Sequence, residues 1–342
     1  MEILIIRRDN IGDMLCVTPA IRALREAYYD IKISVFCNSY NKPVIENNND
    51  LSCIYSYKKG KHATDKSFFR AIWGKIALIL SLRRKNFDYI ILASSAVKKR
   101  DYKLAKFIGS KKIIGYSDGS IVKRKHDILY FQPPTSSEKV KHEVEYVYDL
   151  FRVFEISKNI PKMQLTALNS KNKKKNSYIK TIGVNISARK VSQRWPLERF
   201  IELINDLSNK YKVLIFWSPG SSSEPTHPGD DESAKLIHER LTNTTNSILY
   251  QTSSLHELFE GISLCDLMVT PDGGAMHISA ALNKPVVCLF GDSNLFQWHP
   301  WGVKFEAIQK ESRNVRDIKF EEVRSSVQKL VNAYQKNSNI GS

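Results

Sequence analysis

Two short segments carry side chains whose types and spacing suit group transfer. The first, Arg7–Asp13 (RRDNIGD), lies between an apolar run and a stretch with helical spacing. Asp13 at the first turn of that helix has two interpretations: it accepts hydrogen bonds from free backbone N–H groups as a cap, or it removes a proton from an acceptor hydroxyl. Arg7 and Arg8 are predicted to hold an anionic acceptor; alternatively, they are solvated loop charges.

The second segment, Thr270–His277 (TPDGGAMH), follows another apolar run and opens a predicted helix. Gly273 and Gly274 let a ligand approach the backbone, and free N–H groups at a helix start bind phosphate. His277 lies about one turn into the helix, where it is predicted to donate to a phosphate oxygen. The alternative is a turn followed by a structural histidine. The complete arrangement favours phosphate binding.

Two further segments give weaker signals. Ser187–Pro196 (SARKVSQRWP) places basic residues before a Trp-Pro helix start, where they would meet a diphosphate or form a solvated loop. Ser218–Glu232 (SPGSSSEPTHPGDDE) is a long loop after an apolar run. Its Asp231 and Glu232 are candidates for binding ribose hydroxyls, and a mobile surface loop is the alternative interpretation.

The elements that position these segments repeat along the 342 residues as short apolar strands alternating with helices. This pattern is typical of parallel sheets with helices on both faces. The lysine-rich stretch 169–178 has nothing to bury and is predicted to be a linker. The sequence therefore predicts two α/β, Rossmann-like, doubly wound domains, 1–168 and 179–335, with a ligand in a central cleft that both domains face.

The charge is unevenly distributed. The chain has a formal net charge of +17, and residues 58–125 carry 19 Lys and Arg against 4 Asp and Glu. This segment predicts a polyanionic partner: nucleic acid, an anionic membrane face or a phosphorylated glycolipid. Within it, Lys98, Lys99 and Arg100 are predicted to bind the acceptor. The stretch Lys66–Lys85 has apolar residues at helical spacing, which suits either an anionic membrane surface or a helix packed on the core.

Several function classes lack their signatures. The sequence contains no G-x-x-x-x-G-K-[ST], G-x-G-x-x-G or H-E-x-x-H motif and no D-x-D pair, so we expect no metal site and no bound cofactor. No apolar run approaches the roughly 20 residues of a membrane span. With no secretory signal at the start, we expect a cytoplasmic location.

Taken together, three segments resemble glycosyltransferase family 9, the ADP-heptose:lipopolysaccharide heptosyltransferases. They are ILIIRRDNIGDMLCVTPAIRALR, RWPLERF and VTPDGGAMHISAALNKPVVCLFG, in that order along the chain. The resemblance implies a GT-B fold, with an acceptor-binding N-terminal domain and a C-terminal domain for the nucleotide sugar. It also implies inverting, metal-independent transfer, most simply of heptose from ADP-heptose onto a lipopolysaccharide core or related anionic glycolipid, at the inner face of the cytoplasmic membrane.

Carried over by position, Asp13 matches the family's general base, and Asp272, Gly274 and His277 match its D-x-G-x-x-H donor-phosphate motif. There are two departures from the family pattern. Gln193 stands where the family often has lysine, so Arg194 or Lys190 would have to supply that charge. Gly273 replaces a common Ser or Thr. The donor-binding residues predicted are Ser187, Arg189, Lys190, Gln193, Arg194, Asp231, Glu232, Asp272, Gly273, Gly274, Ala275 and His277.

Two other functions are compatible with parts of the sequence. A sugar-nucleotide 2-epimerase would share the fold and would act on the donor without an acceptor. A nucleic-acid-binding protein would explain the charge but has no recognisable binding module here, and it leaves the D-x-G-x-x-H segment unexplained. We therefore expect no nucleic-acid partner.

Overall fold

The computed structural model describes residues 1–58, 65–131, 140–166, 179–223 and 229–338, with the backbone alone at 65–70 and 336–338. The chain divides into two compact units, Met1–Leu165 and Thr166–Ser342. The segment 169–178, predicted to be a linker, lies outside the described residues.

The first unit is a parallel sheet with helices between its strands. Its strands are β1 (Glu2–Ile6), β2 (Lys32–Asn38), β3 (Cys53–Tyr57), β4 (Phe87–Leu92), β5 (Ser110–Ser117) and β6 (Ile128–Phe131). Its helices are α1 (Ile11–Leu15), α2 (Thr18–Ala27), α3 (Asp65–Arg83), α4 (Lys99–Ile108) and α5 (Glu143–Asp149). The strands pair in the order β3-β2-β1-β4-β5-β6, every pair parallel.

The central strands of this unit are apolar on both faces, which is why they pair in parallel and lie under helices. Ile3–Ile6 of β1 are fully buried. Leu82 of α3 and Ile108 of α4 pack into one cluster with Leu4 and Ile90 of the sheet. The strand order turns outward in both directions from β1 and β4. The loops that leave these two strands therefore diverge and open a crevice at the carboxyl ends.

The second unit has the same plan. Its strands are β7 (Thr181–Asn185), β8 (Lys212–Phe216), β9 (Ser247–Leu249), β10 (Leu267–Pro271), β11 (Val286–Phe290) and β12 (Phe305–Gln309). Its helices are α6 (Leu197–Ser208), α7 (Asp231–Glu239), α8 (Leu255–Leu264), α9 (Gly274–Ala281), α10 (Leu295–Trp298) and α11 (Phe320–Ser338).

The strands of this unit pair in parallel in the order β12-β11-β10-β7-β8-β9. Followed from β9, this order repeats that of the first unit, with the outward turn between β7 and β10. The predicted fold class, two doubly wound α/β units, is confirmed. Its physical basis is the alternation of short buried strands with amphipathic helices.

Candidate functional site

A buried arginine lies where β1 and β4 diverge in the first unit. Arg7 follows β1 and is 2% exposed. Its Nη1 is 3.0 Å from Glu143 Oε1 at the start of α5, and its Nε is 3.3 Å from Asp9 Oδ2. The guanidinium also donates to the Ala93 carbonyl just beyond β4 and to Asp13 Oδ1. A buried cation requires such pairing, so Arg7 joins three elements at this point.

Asp13 is held by the arginine and by the turn before it. Its Oδ2 accepts hydrogen bonds from the Asn10 backbone N–H and from Asn10 Nδ2, both at 3.0 Å. Burial raises the pKa of Asp13, but the Arg7 charge and the Asn10 N–H more than offset burial, so the pKa lies below the ordinary 3.8. Asp13 is therefore ionised at neutral pH. It takes part in a capping box at α1 and is also a carboxylate able to accept a proton.

The structure places Arg7 inside the unit. Its Nη1 and Nη2 groups donate to protein oxygens, and its charge is balanced by carboxylates of the same unit, among them Asp13. The acceptor contact predicted for Arg7 stays a prediction. Arg8 pairs with Asp101 of α4, and both side chains are largely buried.

The three cations predicted to grip the acceptor differ in exposure. Lys98 pairs with Asp9, which brings it into the network around Arg7. Lys99 and Arg100 begin α4 and are exposed. Of the three, Lys99 and Arg100 are thus the better placed to meet a large anionic ligand.

In the second unit, β7 and β10 are tied together at their carboxyl ends. Asn185 Nδ2 donates to Thr270 Oγ1 across the two strands at 3.1 Å. Gly273 then precedes α9 with φ of 155°, a conformation that favours glycine. A Cβ at Gly273 would meet nothing within 4 Å, so the space beside the helix start is open. Helix geometry leaves the N–H groups of Gly274 and Ala275 without acceptors inside the helix.

The histidine of this segment lies inside the unit. His277 is buried, and its ring meets the Trp298 ring edge to face with 6.0 Å between centroids. Its backbone N–H bonds to the Gly273 carbonyl at 3.4 Å, which closes the first turn of α9. The predicted donation from His277 to a phosphate stays a prediction.

Asp272 accepts a hydrogen bond from a neutral side chain. Gln193 Nε2 donates to Asp272 Oδ2 at 2.8 Å and to Ser293 Oγ at 3.1 Å. Burial raises the pKa of Asp272, and the Ser293 hydrogen bond and the charges of His277 and Lys190 offset this only in part. The net result is a pKa above the ordinary value, so the ionised form of Asp272 destabilises the folded unit.

The two cations expected to replace the missing lysine are engaged with carboxylates. Arg194 Nη1 is 2.9 Å from Asp230 Oδ1, and Lys190 Nζ is 3.0 Å from Asp292 Oδ2. Ser187 Oγ donates to the same Asp230 at 2.6 Å. Arg189, in contrast, is exposed and forms no ion pair with any residue that the structure describes. Its charge is therefore available to an anionic ligand.

The two acidic residues predicted to bind ribose support the loop before α7. Asp231 Oδ1 accepts from Trp217 Nε1 at 2.7 Å and its Oδ2 from the Gly220 N–H at 3.0 Å. Glu232 Oε1 accepts from Ser221 Oγ at 3.2 Å. Both carboxylates have these intraprotein partners, and ribose binding by either stays a prediction.

Comparison with known proteins fixes the family. A model of glycosyltransferase family 9 (heptosyltransferase) matches residues 75–327, about three quarters of the chain. The chain belongs to glycosyltransferase family 9. The recognition made from the sequence and the enzyme class, a glycosyltransferase, are thereby confirmed.

Individual members of family 9 cover most of the chain. The chain is 24% identical over 305 residues to lipooligosaccharide heptosyltransferase 2 of Campylobacter jejuni, spanning 88% of this chain and 84% of that protein. A glycosyl transferase family 9 structure from Veillonella parvula has a TM-score of 0.76 at 18% identity and covers 97% of each chain. The Escherichia coli ADP-heptose lps heptosyltransferase II has a TM-score of 0.72 at 21% identity, covering 97% of this chain and 99% of that one. These structures confirm the GT-B fold.

Three residues of the candidate site are not predicted from the sequence. Glu143 lies within a predicted helix, and nothing local marks it as the partner of Arg7. Asp230 is adjacent to Asp231, which the sequence analysis selects, but the two differ in exposure: Asp230 is buried and Asp231 is exposed. Ser293 follows β11 in the segment GDSN, a polar turn at a strand end that could have been included on position alone.

Two further observations concern the residues that the structure describes. No group of three or more His, Cys, Asp and Glu side chains among them is arranged to hold a metal ion. No helix in the described ranges is both long and apolar enough to cross a membrane.

Proposed function

We propose that this family 9 member is an inverting, metal-independent heptosyltransferase that uses ADP-heptose and a lipopolysaccharide-core or related anionic glycolipid acceptor. The observation that carries the proposal is that each unit has polar site residues at the same place in its own sheet, where the strand order turns outward. In the first unit these residues are Asp13 and Arg7, and in the second they are Asp272 and the start of α9. The names of the related proteins supply the donor and the acceptor class.

The reaction we propose is a single displacement. Asp13 takes the proton of an acceptor hydroxyl, and that oxygen forms a bond to the anomeric carbon of the donor. The bond from this carbon to the diphosphate breaks on the opposite side, and ADP leaves with the electron pair. Opposite-side attack inverts the anomeric configuration.

The leaving diphosphate needs positive charge where its own negative charge builds up. The N–H groups of Gly273, Gly274 and Ala275 and the exposed guanidinium of Arg189 would stabilise it in the proposed mechanism. His277 would donate to a phosphate oxygen after ligand binding exposes its ring. Cationic side chains and N–H groups thereby take the part that a metal ion plays elsewhere, and no cofactor is needed.

The experiment is transfer by the purified chain from ADP-heptose to a phosphorylated core acceptor that lacks the terminal heptose. We expect addition of one heptosyl residue by mass spectrometry and an inverted anomeric configuration by NMR. UDP-, GDP- and TDP-sugars serve as matched donors, and we expect them to transfer poorly. Isomerisation of the donor without any acceptor would instead support the 2-epimerase. Transfer from a different nucleotide sugar would keep the family and refute the proposed donor.

We also propose a cytoplasmic location at the inner face of the membrane, because the acceptor class is lipid-linked and the donor is a nucleotide sugar. Fractionation of cells that express the chain would test it. Recovery with periplasmic proteins would refute this location.

A further inference from the structure

Helix α3 leaves a continuous apolar stripe in solvent. Ile72, Trp73, Ile76 and Leu80 are 39%, 68%, 41% and 46% exposed. At about 100° per residue these four positions span roughly 100° of the helix circumference. Large apolar side chains are normally not lined up on the surface in this way, and such patches mark interaction sites.

The opposite side of the same helix is packed on the core. Leu78 and Ile79 lie against the cluster that contains Leu82, Phe87 and Ile90. This packing fits the interpretation of a helix packed on the core, and the membrane interpretation of the exposed face stays a prediction. Because the core-facing residues pack α3 against the unit, the exposed stripe does not need a partner to form.

Cations and one further aromatic ring extend the stripe at its carboxyl end. Arg83, the last residue of α3, lies over the Phe107 ring of α4, 5.0 Å from its centroid, and Phe107 is 47% exposed. Arg84 is one turn beyond Leu80, and Lys103 is one turn before Phe107. Both are exposed. The patch therefore combines exposed apolar side chains with cations at its edge.

We propose that this patch, Ile72, Trp73, Ile76, Leu80 and Phe107 with Arg84 and Lys103, docks the chain on an anionic lipid surface. The occupant follows from charge: the exposed Arg83, Arg84 and Lys103 border the stripe, so this face attracts anionic headgroups, whereas a second copy would bring the same cations against them. Tryptophan prefers the boundary between headgroups and acyl chains, where its ring is apolar and its N–H is solvated.

Docking by this patch is separate from the proposed transfer reaction. Its test uses sedimentation with vesicles of phosphatidylcholine and phosphatidylglycerol, without donor or sugar acceptor. Failure of the transfer assay therefore does not affect the result, and failure of docking leaves the transferase proposal intact. We expect binding to mixed vesicles, little binding to phosphatidylcholine alone, and a blue shift of tryptophan emission that is lost in Trp73→Phe.

Two sets of variants test the apolar and the cationic contributions to vesicle binding separately. Trp73→Ser with Ile76→Ser should weaken binding about tenfold or more, since it removes two large apolar side chains from the contact. Arg84→Gln and Lys103→Gln should each weaken it roughly fivefold. The matched controls are Tyr29→Ser, which changes an aromatic side chain 87% exposed after α2, and Lys210→Gln with Lys212→Gln, exposed cations of the second unit. These controls should bind like the wild type.

Three results would overturn the proposal. One is equal vesicle binding by wild type and Trp73→Ser/Ile76→Ser with intact folding by circular dichroism. Another is loss of binding in the controls as large as in the patch variants. The third is a wild-type dimer in lipid-free sedimentation that Trp73→Ser dissociates, because the stripe would then be covered by a second copy.

Discussion

Replacing Asp13 and Asn10 separately distinguishes a helix cap from a catalytic base. Both residues belong to the turn that starts α1, and Asn10 contributes to the hydrogen bonds on Asp13 Oδ2. Asp13→Asn removes the carboxylate and keeps its size. Asn10→Ala removes a cap donor and leaves the Asp13 carboxylate against Arg7. A cap predicts similar effects of the two variants, whereas a base predicts widely different effects on catalysis.

The stability costs of the two variants should be comparable. Loss of a capping side chain costs about 1 kcal/mol, roughly 2–4 °C in Tm for a unit of this size. Asp13→Asn also removes a charge from the buried Arg7. Arg7 nevertheless keeps Glu143 at 3.0 Å and Asp9 at 3.3 Å, so it is not left unpaired. We therefore expect about 1–3 kcal/mol, below the roughly 3–5 kcal/mol of a broken isolated buried pair.

The catalytic costs should differ by orders of magnitude. A general base contributes about 10²–10⁴-fold, equivalent to roughly 3–5 kcal/mol of activation free energy. Asp13→Asn should therefore lower kcat by that factor, while Asn10→Ala should lower it less than about tenfold. Steady-state transfer at saturating donor and acceptor measures kcat, and calorimetric titration with ADP should give near wild-type affinity for both. If Asp13→Asn retains more than about a tenth of the wild-type kcat, or if Asn10→Ala matches its loss, Asp13 is a cap and not the base.

Three other outcomes follow from the second unit and the basic segment. Asp272→Asn should raise Tm at pH 7 and impair donor use. Because the pKa of Asp272 is raised in the folded unit, its carboxylate destabilises the fold once the pH rises above the ordinary value of 3.8. The gain in Tm over the wild type should therefore vanish near pH 3 when both proteins are scanned across pH. Lys99→Glu with Arg100→Glu should raise acceptor KM several-fold and spare donor KM, with added salt mimicking the change in wild type; unchanged acceptor KM at all salt concentrations would refute the contact. His277→Ala should raise donor KM, and wild-type transfer should be the same with and without EDTA; activity restored by Mg²⁺ after EDTA would refute metal independence.

The strands and the fold class were predictable because their signal is local. The runs EILII and TIGVN predict strands at Glu2–Ile6 and Thr181–Asn185, and β1 and β7 have these same bounds. Helical spacing predicts one helix over Asp13–Tyr28, whereas the structure has α1 and α2, divided at Cys16–Val17 before Pro19 in the first turn of α2. Periodicity continues across such a break, and proline at a helix start was the available sign. Strand β12 was missed because its FEAIQ sequence is half-buried and carries a charge.

The sequence predicts where the site residues lie in the fold but not which residues they pair with. Strand-end motifs put Asp13 and Asp272 at the right edges of their sheets, since carboxyl ends of parallel strands hold ligands. The role of Arg7 depends on Glu143, 136 residues away in the chain, and no local pattern encodes that contact. A basic residue next to a strand end looks the same in sequence whether it faces solvent or a buried carboxylate. Arg7 was therefore assigned to the acceptor on its type alone.

The two site carboxylates have opposite electrostatic environments, and this difference separates their roles. Asp13 shares the Arg7 charge with Asp9 and Glu143, and this charge together with the Asn10 N–H outweighs burial, so the pKa of Asp13 is lowered. Burial raises the pKa of Asp272, and the hydrogen bond from the neutral Gln193 amide brings no compensating charge to this carboxylate. A lysine at position 193 would remove that imbalance. With glutamine there, Arg189 is an exposed cation of the same segment that forms no ion pair with the described residues, and we expect donor binding to depend on it.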